Sequence, residues 1–289
     1  MQSACPVTVI VPTYNRADSL TRALYSVVNQ TVRPFQIIVV DDGSTDHTAA
    51  LIKEQFHDVV YIYQHNSGVS AARNTGIRHA FNHRQQDSLW IALLDSDDEW
   101  LPNKLERQLT AWQQQPQHRL IHNDEIWIRN GSRVNQMKKH RKFGGHIFQH
   151  CLPLCVISPS AVLLHSSLLE ESGLFNESLP ACEDYDLWLR ICHREAVLYI
   201  DDRLIIKYGG HEDQLSRKHW GMDRFRVNAL CYCIDNEDLS KADLHAATQM
   251  LLQKLDILIQ GAEKRGNTIA AHKYTQLRHY YSHLTTTTT

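Results

Sequence analysis

The chain has 289 residues, 43% hydrophobic and 21% charged, with a net charge of −2. This describes an ordinary globular protein with a sizeable core, and the near-neutral balance excludes an electrostatic footprint for nucleic acid. The seven cysteines show no disulfide framework and read as reduced thiols of a cytosolic protein. No segment reaches the roughly 20 apolar residues of a membrane span.

The opening "MQSACPVTVIVPTYNR" lacks the basic start and apolar core of a secretion signal. Within it, "VTVIVPTY" is apolar and β-branched and predicts a buried strand. Asp18 or Ser19 is placed to cap a helix over "LTRALYSVVNQ". A second strand, "FQIIVVDDGS", ends in two carboxylates, and Ser44 is placed to cap the helix "TDHTAALIKEQF". "VVYIYQH" predicts a third strand and "GVSAARNTGIRHAF" a helix despite Gly76. A fourth strand, "LWIALLD", runs into Asp95, Asp97 and Asp98, and Pro102 suits the first turn of a helix over "NKLERQLTAWQQQ". Strands and helices in this order predict an α/β fold, a mostly parallel sheet with helices on both faces.

The pattern loosens after about residue 115. "RLIHNDEIWI" and "CVISPSAVLLH" read as strands, "EDYDLWLRICHRE" as a helix, and "VLYIDDRLIIKYGG" as a strand or hairpin. From about residue 218 helical patterning dominates. The expected division is a domain over 1–217, with a nucleotide-binding half over about 6–115 and an acceptor half over about 116–217. A helical appendage over 218–284 and a disordered tail over 285–289 follow. No internal repeat is visible.

Ligands of open α/β sheets bind outside the carboxyl ends of the strands. The second and fourth strands deliver Asp41 with Asp42, and Asp95 with Asp97 and Asp98, to that edge. Crowded like charges call for a compensating partner. Hard carboxylate oxygens suit Mg²⁺ or Mn²⁺, and such an ion completes its shell with substrate phosphates. The competing explanation is that aspartates at strand ends serve turns and caps.

The segments "VTVIVPTYNRADSLTRALYSVVNQT", "QIIVVDDGSTDHT", "NSGVSAARNTGI", "LLDSDDEW" and "EDYDLWLRI", in that order, resemble glycosyltransferase family 2, nucleotide-sugar-dependent enzymes with the GT-A fold. The resemblance spans roughly residues 6 to 215 and implies an inverting transfer of sugar to a hydroxyl of a glycan or lipid-linked acceptor, in cell-surface polysaccharide synthesis. It implies that Pro12, Thr13, Tyr14 and Arg16 line the nucleobase pocket, and that Asp41, with Asp42 second, contacts the uracil edge. A carboxylate accepts the imide N–H of uracil, which favours a UDP-sugar. Arg73 is the candidate for the nucleotide, or else pairs structurally with Asp41 or Asp42. In "DSD", alternation along an extended segment puts Asp95 and Asp97 on one side and Ser96 on the other. The resemblance makes Asp97 the direct metal ligand. Asp95 contacts ribose or the ion's waters, Ser96 joins the donor-binding set, and Asp98 stands in reserve.

In "EDYDLWLRI" the resemblance makes Asp184, with Glu183 beside it, the general base. Acidic residues favoured by a helix N-terminus are the plainer alternative. His211, after a glycine pair, is a candidate near the metal or diphosphate, with Arg217 near a phosphate; an ordinary polar loop is the alternative. The expected location is cytoplasmic, with attachment to the inner membrane face left open. Two rival functions are a metal-dependent phosphatase, suggested by "DSDDEW" after a strand, and a non-catalytic nucleotide-sugar or glycan binding module. A dinucleotide fold is disfavoured because no G-x-G-x-x-G follows the first strand.

Overall fold

The computed structural model of the chain describes residues 7–84, 89–210 and 221–284. The first strands are β1 (Val7–Thr13), β2 (Gln36–Asp41), β3 (Val60–Tyr63) and β4 (Trp90–Leu93). They alternate with α1 (Ala17–Val28), α2 (Thr48–Gln55) and α3 (Val69–Asn82). Strand order is β3-β2-β1-β4, all parallel. Burial on both faces explains the apolar runs of β1, β2 and β4, while β3 lies at the sheet edge and is only partly buried. Val7, Val9 and Val11 of β1 pack into one hydrophobic layer, with Leu20, Leu24 and Val27 of α1. Ile10 packs into the other, with Ala72 and Ile77 of α3.

Gly76 is the reason α3 can lie so close to β1. A Cβ there would meet Ile10 Cγ2 at 2.6 Å. The helix starts differ from the sequence expectation. Asp18 lies in the first turn of α1, behind Arg16, and makes no cap. Ser44 caps nothing either; its Oγ accepts from the Asn15 N–H at 2.8 Å, while Asp46 Oδ1 receives the Thr48 N–H at 3.0 Å.

Beyond β4 the chain adds β5 (Glu99–Trp100), α4 (Lys104–Gln114), β6 (Leu120–Arg129), β7 (Ser132–Val134), α5 (Phe148–Cys151), β8 (Leu163–His165), α6 (Ser166–Ser172), α7 (Glu183–Cys192) and β9 (Leu198–Gly209). The sheet continues β4-β8-β6-β9-β5, with β7 beside β6. Antiparallel pairing enters at β4–β8, and β6 and β9 are parallel with a bulge around Asp124. Of "CVISPSAVLLH", only the last residues form a strand; "PSA" is a 3₁₀ turn. The segment "VLYIDDRLIIKYGG" forms one long strand rather than a hairpin.

The final helices are α8 (Asp223–Asn236), α9 (Lys241–Lys264) and α10 (Thr268–Leu284). Val227, Leu230, Leu251, Leu255 and Tyr281 belong to the same hydrophobic layer as Tyr185 and Trp188 of α7. Lys254 Nζ ties them down, donating to the Pro153 carbonyl and to Asp223 Oδ1, each at 2.9 Å. Leu255→Ala, at a fully buried position, is therefore expected to destabilise the whole chain by about 2–5 kcal/mol in a urea titration. A change confined to a separate, earlier transition would show that the helices unfold independently.

Candidate active site

The carboxyl ends of β1, β2 and β4 and the N-termini of α3 and α7 converge on one region. Backbone strain marks two of its borders: Asn15 and Cys182 hold φ of +48° and +64°. Such left-handed non-glycine residues persist only where surroundings over-determine them. Asn15 precedes Arg16, and Cys182 precedes Glu183 and Asp184.

At the end of β1, Pro12 and Thr13 are buried and Tyr14 is 48% exposed. Asp41 and Asp42 are buried and engaged. Asp41 accepts from the Ser44 N–H and the Tyr61 hydroxyl, both at 2.7 Å. Asp42 accepts from Gln64 Nε2 at 2.7 Å and from the N–H groups of Ser67 and Gly68, both at 2.8 Å. These bonds shape the loops after β2 and β3. An ionised carboxylate has about four lone-pair sites, so each side chain can accept further bonds.

Arg73 does not pair with Asp41 or Asp42, the structural alternative considered from sequence. Buried on α3, it forks between Glu183 Oε1 at 2.6 Å and Asp95 Oδ1 at 2.7 Å. The reason is the side of the sheet: α3 packs in the layer that holds α7, and Asp41 and Asp42 already have partners. Burial works against the Arg73 charge, but Asp95 and Glu183 more than offset it. In turn, burial would raise the Asp95 pKa, and Arg73 foremost holds it below the ordinary range.

The "DSDD" segment is a turn, not an extended strand; Asp98 N–H donates to the Asp95 carbonyl at 3.0 Å. The alternation survives in another form. Asp95 and Asp97 are half-buried, while Ser96 and Asp98 are buried. Asp97 Oδ2 meets Arg16 Nη1 at 2.6 Å, and its carbonyl accepts from Arg22 Nη2 at 3.0 Å. Asp98 turns inward, accepting from Ser160 Oγ at 2.6 Å. Burial first, then Asp97 and Asp95, lifts its carboxyl to about 8 against the pull of Lys207. The crowded carboxylates thus have protein counter-groups.

Oxygen donors fit a hard divalent cation, and Asp95 and Asp97 are the pair turned to the open side. Among the described residues no three His, Cys, Asp or Glu side chains converge into a ready-made cage. That suits an ion held by one or two carboxylates and completed by substrate phosphates. His211 and Arg217 lie outside the described residues. Beside Asp97 opens a cleft of about 710 Å³, lined by Arg16, Arg22, Asn130, Tyr208 and Gly209. Thr13 Oγ1, Ser70 Oγ and Arg73 Nε are buried without hydrogen-bond partners. Native structures leave few such atoms, and those that occur call for an explanation.

At the start of α7, Glu183 is buried on Arg73, whereas Asp184 is half-buried and accepts from the Tyr185 N–H at 2.7 Å. Sequence reasoning did not find Glu125, Lys142, Ser158, Ser160 or Lys207. No local motif marks them; the Glu125–Lys142 ion pair and the Lys207–Ser158 hydrogen bond join residues far apart in the chain.

The Glycosyl transferase family 2 model matches residues 8–171. An uncharacterised glycosyltransferase of Rickettsia typhi is 30% identical over 219 residues, covering 72% of this chain and 65% of that protein. The UDP-Glc:alpha-D-GlcNAc-diphosphoundecaprenol beta-1,3-glucosyltransferase WfgD of Escherichia coli is 31% identical over 187 residues, covering 64% of this chain and 69% of that one. The chain spans 65% of the Rickettsia typhi and Rickettsia prowazekii relatives and 26% to 36% of three other rickettsial ones. Among solved structures, S. aureus TarS 1–349 in complex with UDP-GlcNAc superposes with a TM-score of 0.65 at 21% identity, over 86% of this chain and 71% of that one. The mannosyltransferase PcManGT of Pyrobaculum calidifontis, in complex with GDP-Man and Mn²⁺, superposes at 0.59 and 18% identity, over 98% and 86%. These structures share the α/β fold of this chain.

Proposed function

Because the chain belongs to glycosyltransferase family 2, we propose that it is an inverting transferase, moving sugar from a UDP-linked donor to a hydroxyl of a glycan or lipid-linked acceptor. The observation that carries this reading is the Arg73 fork, which joins Asp95 of the metal motif to Glu183 of the acidic motif. One guanidinium thereby sets the donor side and the acceptor side next to each other.

In this reading Thr13, Tyr14, Arg16, Asp41 and Asp42 surround the base and ribose, with Pro12 shaping the turn. Asp97 holds the divalent ion, with Asp95 and Ser96 beside it. A Mn²⁺ or Mg²⁺ ion, which Asp97 would hold, would supply positive charge to offset that of a leaving diphosphate. Asp184 takes the proton of the acceptor hydroxyl as its oxygen attacks the anomeric carbon from the face opposite the diphosphate, and a single displacement inverts that carbon. Glu183, committed to Arg73, orients rather than reacts. The division at about residue 217 belongs to the same proposal, with α8–α10 as a buttress of α7.

The UDP donor is supported by the carboxylates at the β2 edge and by relatives whose names carry UDP-Glc and UDP-GlcNAc. A lipid-linked acceptor is supported by WfgD, which is named for a diphosphoundecaprenol acceptor. Action at the inner membrane face follows from such an acceptor; among the described residues no helix is long and apolar enough to cross a membrane.

The test is a panel of nucleotide sugars scored for release of nucleoside diphosphate with added Mn²⁺. One UDP-sugar is expected to be turned over, and UDP with Mn²⁺ is expected to raise the melting temperature, since ligand bound only to the native state stabilises it. UDP protection without release from any sugar would support a binding module instead. Phosphate release from simple phosphomonoesters would support the phosphatase reading.

A further inference from the structure

Residues 156–162 contain no regular element except the short 3₁₀ turn Pro159–Ala161, yet all of them are buried. Buried backbone polar groups need partners, and here side chains from other parts of the fold supply them. The Val156 carbonyl accepts from Lys142 Nζ at 2.7 Å, and the Ile157 carbonyl from Trp188 Nε1 of α7 at 3.0 Å. The Ser160 carbonyl accepts from Trp100 Nε1 of β5 at 2.9 Å, and the Ala161 carbonyl from Gln108 Nε2 of α4 at 2.8 Å. The segment is therefore pinned from α4, β5 and α7 at once.

Ser160, within this segment, has no exposed surface. Its hydroxyl makes two bonds, both to the turn after β4. It accepts from the Asp95 N–H at 3.1 Å and donates to Asp98 Oδ2 at 2.6 Å. Those residues are the two ends of the turn that the Asp98 N–H closes on the Asp95 carbonyl at 3.0 Å, and Asp97 lies between them. One hydroxyl, donor and acceptor together, thus ties the turn a second time from its buried side. The bond to Asp98 does not depend on the charge of that carboxyl, because a protonated acid keeps acceptor capacity. Opening the turn would leave buried polar groups unpaired, which is costly.

We infer that Ser160 is a positioning residue for the metal motif, a buried hydroxyl that clamps both ends of the Asp95–Asp98 turn and so sets where Asp95 and Asp97 present their carboxylates to a divalent ion. Through the Ile157 carbonyl the same segment holds Trp188 of α7, so it spans from the metal motif to the helix that bears Asp184. The inference rests on the glycosyltransferase reading above. It adds a residue outside both acidic motifs, 62 residues along the chain from Asp98.

The test measures UDP binding against Mn²⁺ concentration for the wild-type chain, Ser160→Ala, Ser160→Cys and Leu255→Ala, with melting curves and nucleoside diphosphate release beside it. Ser160→Ala removes both bonds to the turn. Partners that orient metal ligands are typically worth about 10–100-fold in metal affinity. The Mn²⁺ concentration that half-saturates UDP binding is therefore expected to rise about tenfold or more in Ser160→Ala, and turnover at low Mn²⁺ to fall with it. Ser160→Cys fills a similar space with a weak donor and acceptor and should show a smaller shift of the same sign. Leu255→Ala, destabilised through the core rather than through the turn, should keep the wild-type Mn²⁺ half-saturation. An unchanged half-saturation in Ser160→Ala overturns the inference; where Ser160→Ala does not fold, an unchanged value in Ser160→Cys does the same. So does an equal shift in Leu255→Ala, since that marks lost stability rather than a displaced turn. A wild-type chain whose UDP binding does not respond to Mn²⁺ removes the metal reading and the inference with it, an outcome read on the wild type alone and so distinct from a failure of the variants.

Discussion

Asp97→Asn is expected to abolish sugar transfer while leaving the fold intact. The substitution keeps the size of the side chain and removes the charge proposed to hold the cation. Its structural cost is small, because the Asp97–Arg16 pair is partly open to solvent, at 18% and 21% side-chain exposure, and such pairs contribute about 0–1 kcal/mol. The measurement is nucleoside diphosphate release against Mn²⁺ concentration, with a melting curve beside it. Turnover near wild type, with an unchanged Mn²⁺ requirement, would remove Asp97 from the metal site. The neighbouring Asp98 should not substitute for it, because it is buried against Ser160 and turned away from the cleft.

Asp184→Asn carries the second large effect. UDP and metal binding should persist, since neither is assigned to that carboxylate, while turnover falls by about 10²–10⁴, the usual contribution of a positioned proton acceptor. Glu183→Gln should behave differently. Its carboxylate is buried on Arg73, so neutralising it weakens a buried ion pair and lowers stability, by up to about 3–5 kcal/mol. Arg73 still keeps Asp95, which moderates that loss. The expected signature is therefore a melting temperature lowered more by Glu183→Gln and a rate lowered more by Asp184→Asn. The reverse pattern would move the base to Glu183. Two variants with wild-type rates would mean that the acidic residues only complement the helix dipole.

The parts legible in the sequence were those governed by local periodicity. The runs 7–13, 36–41 and 90–93 became parallel strands because burial on both faces calls for apolar residues along most of their length, and 60–63 pairs beside them as the less buried edge strand. The helix over "EDYDLWLRIC" was legible because its apolar residues recur with helical spacing and its acidic residues crowd the first turn. The edge at which carboxylates gather followed from strand direction alone. Caps were less legible. Asp18, Ser19 and Ser44 have the chemistry of caps, yet the loops after β1 and β2 are laced together instead: Asn15 Oδ1 accepts from the Thr45 N–H at 2.7 Å.

By itself, the sequence determined the alternating first half, the family resemblance and the identity of the acidic motifs, because each is written in short windows where neighbours in the chain are neighbours in space. Only the tertiary structure decided which charge answers which. Arg73 reaches Glu183 across 110 residues and Arg16 reaches Asp97 across 81. Opposite charges attract whatever their distance along the chain, so a one-dimensional pattern shows that aspartates are crowded but not what compensates them. Strand order, the turn after β4 and the side of the sheet on which α3 packs supply that answer.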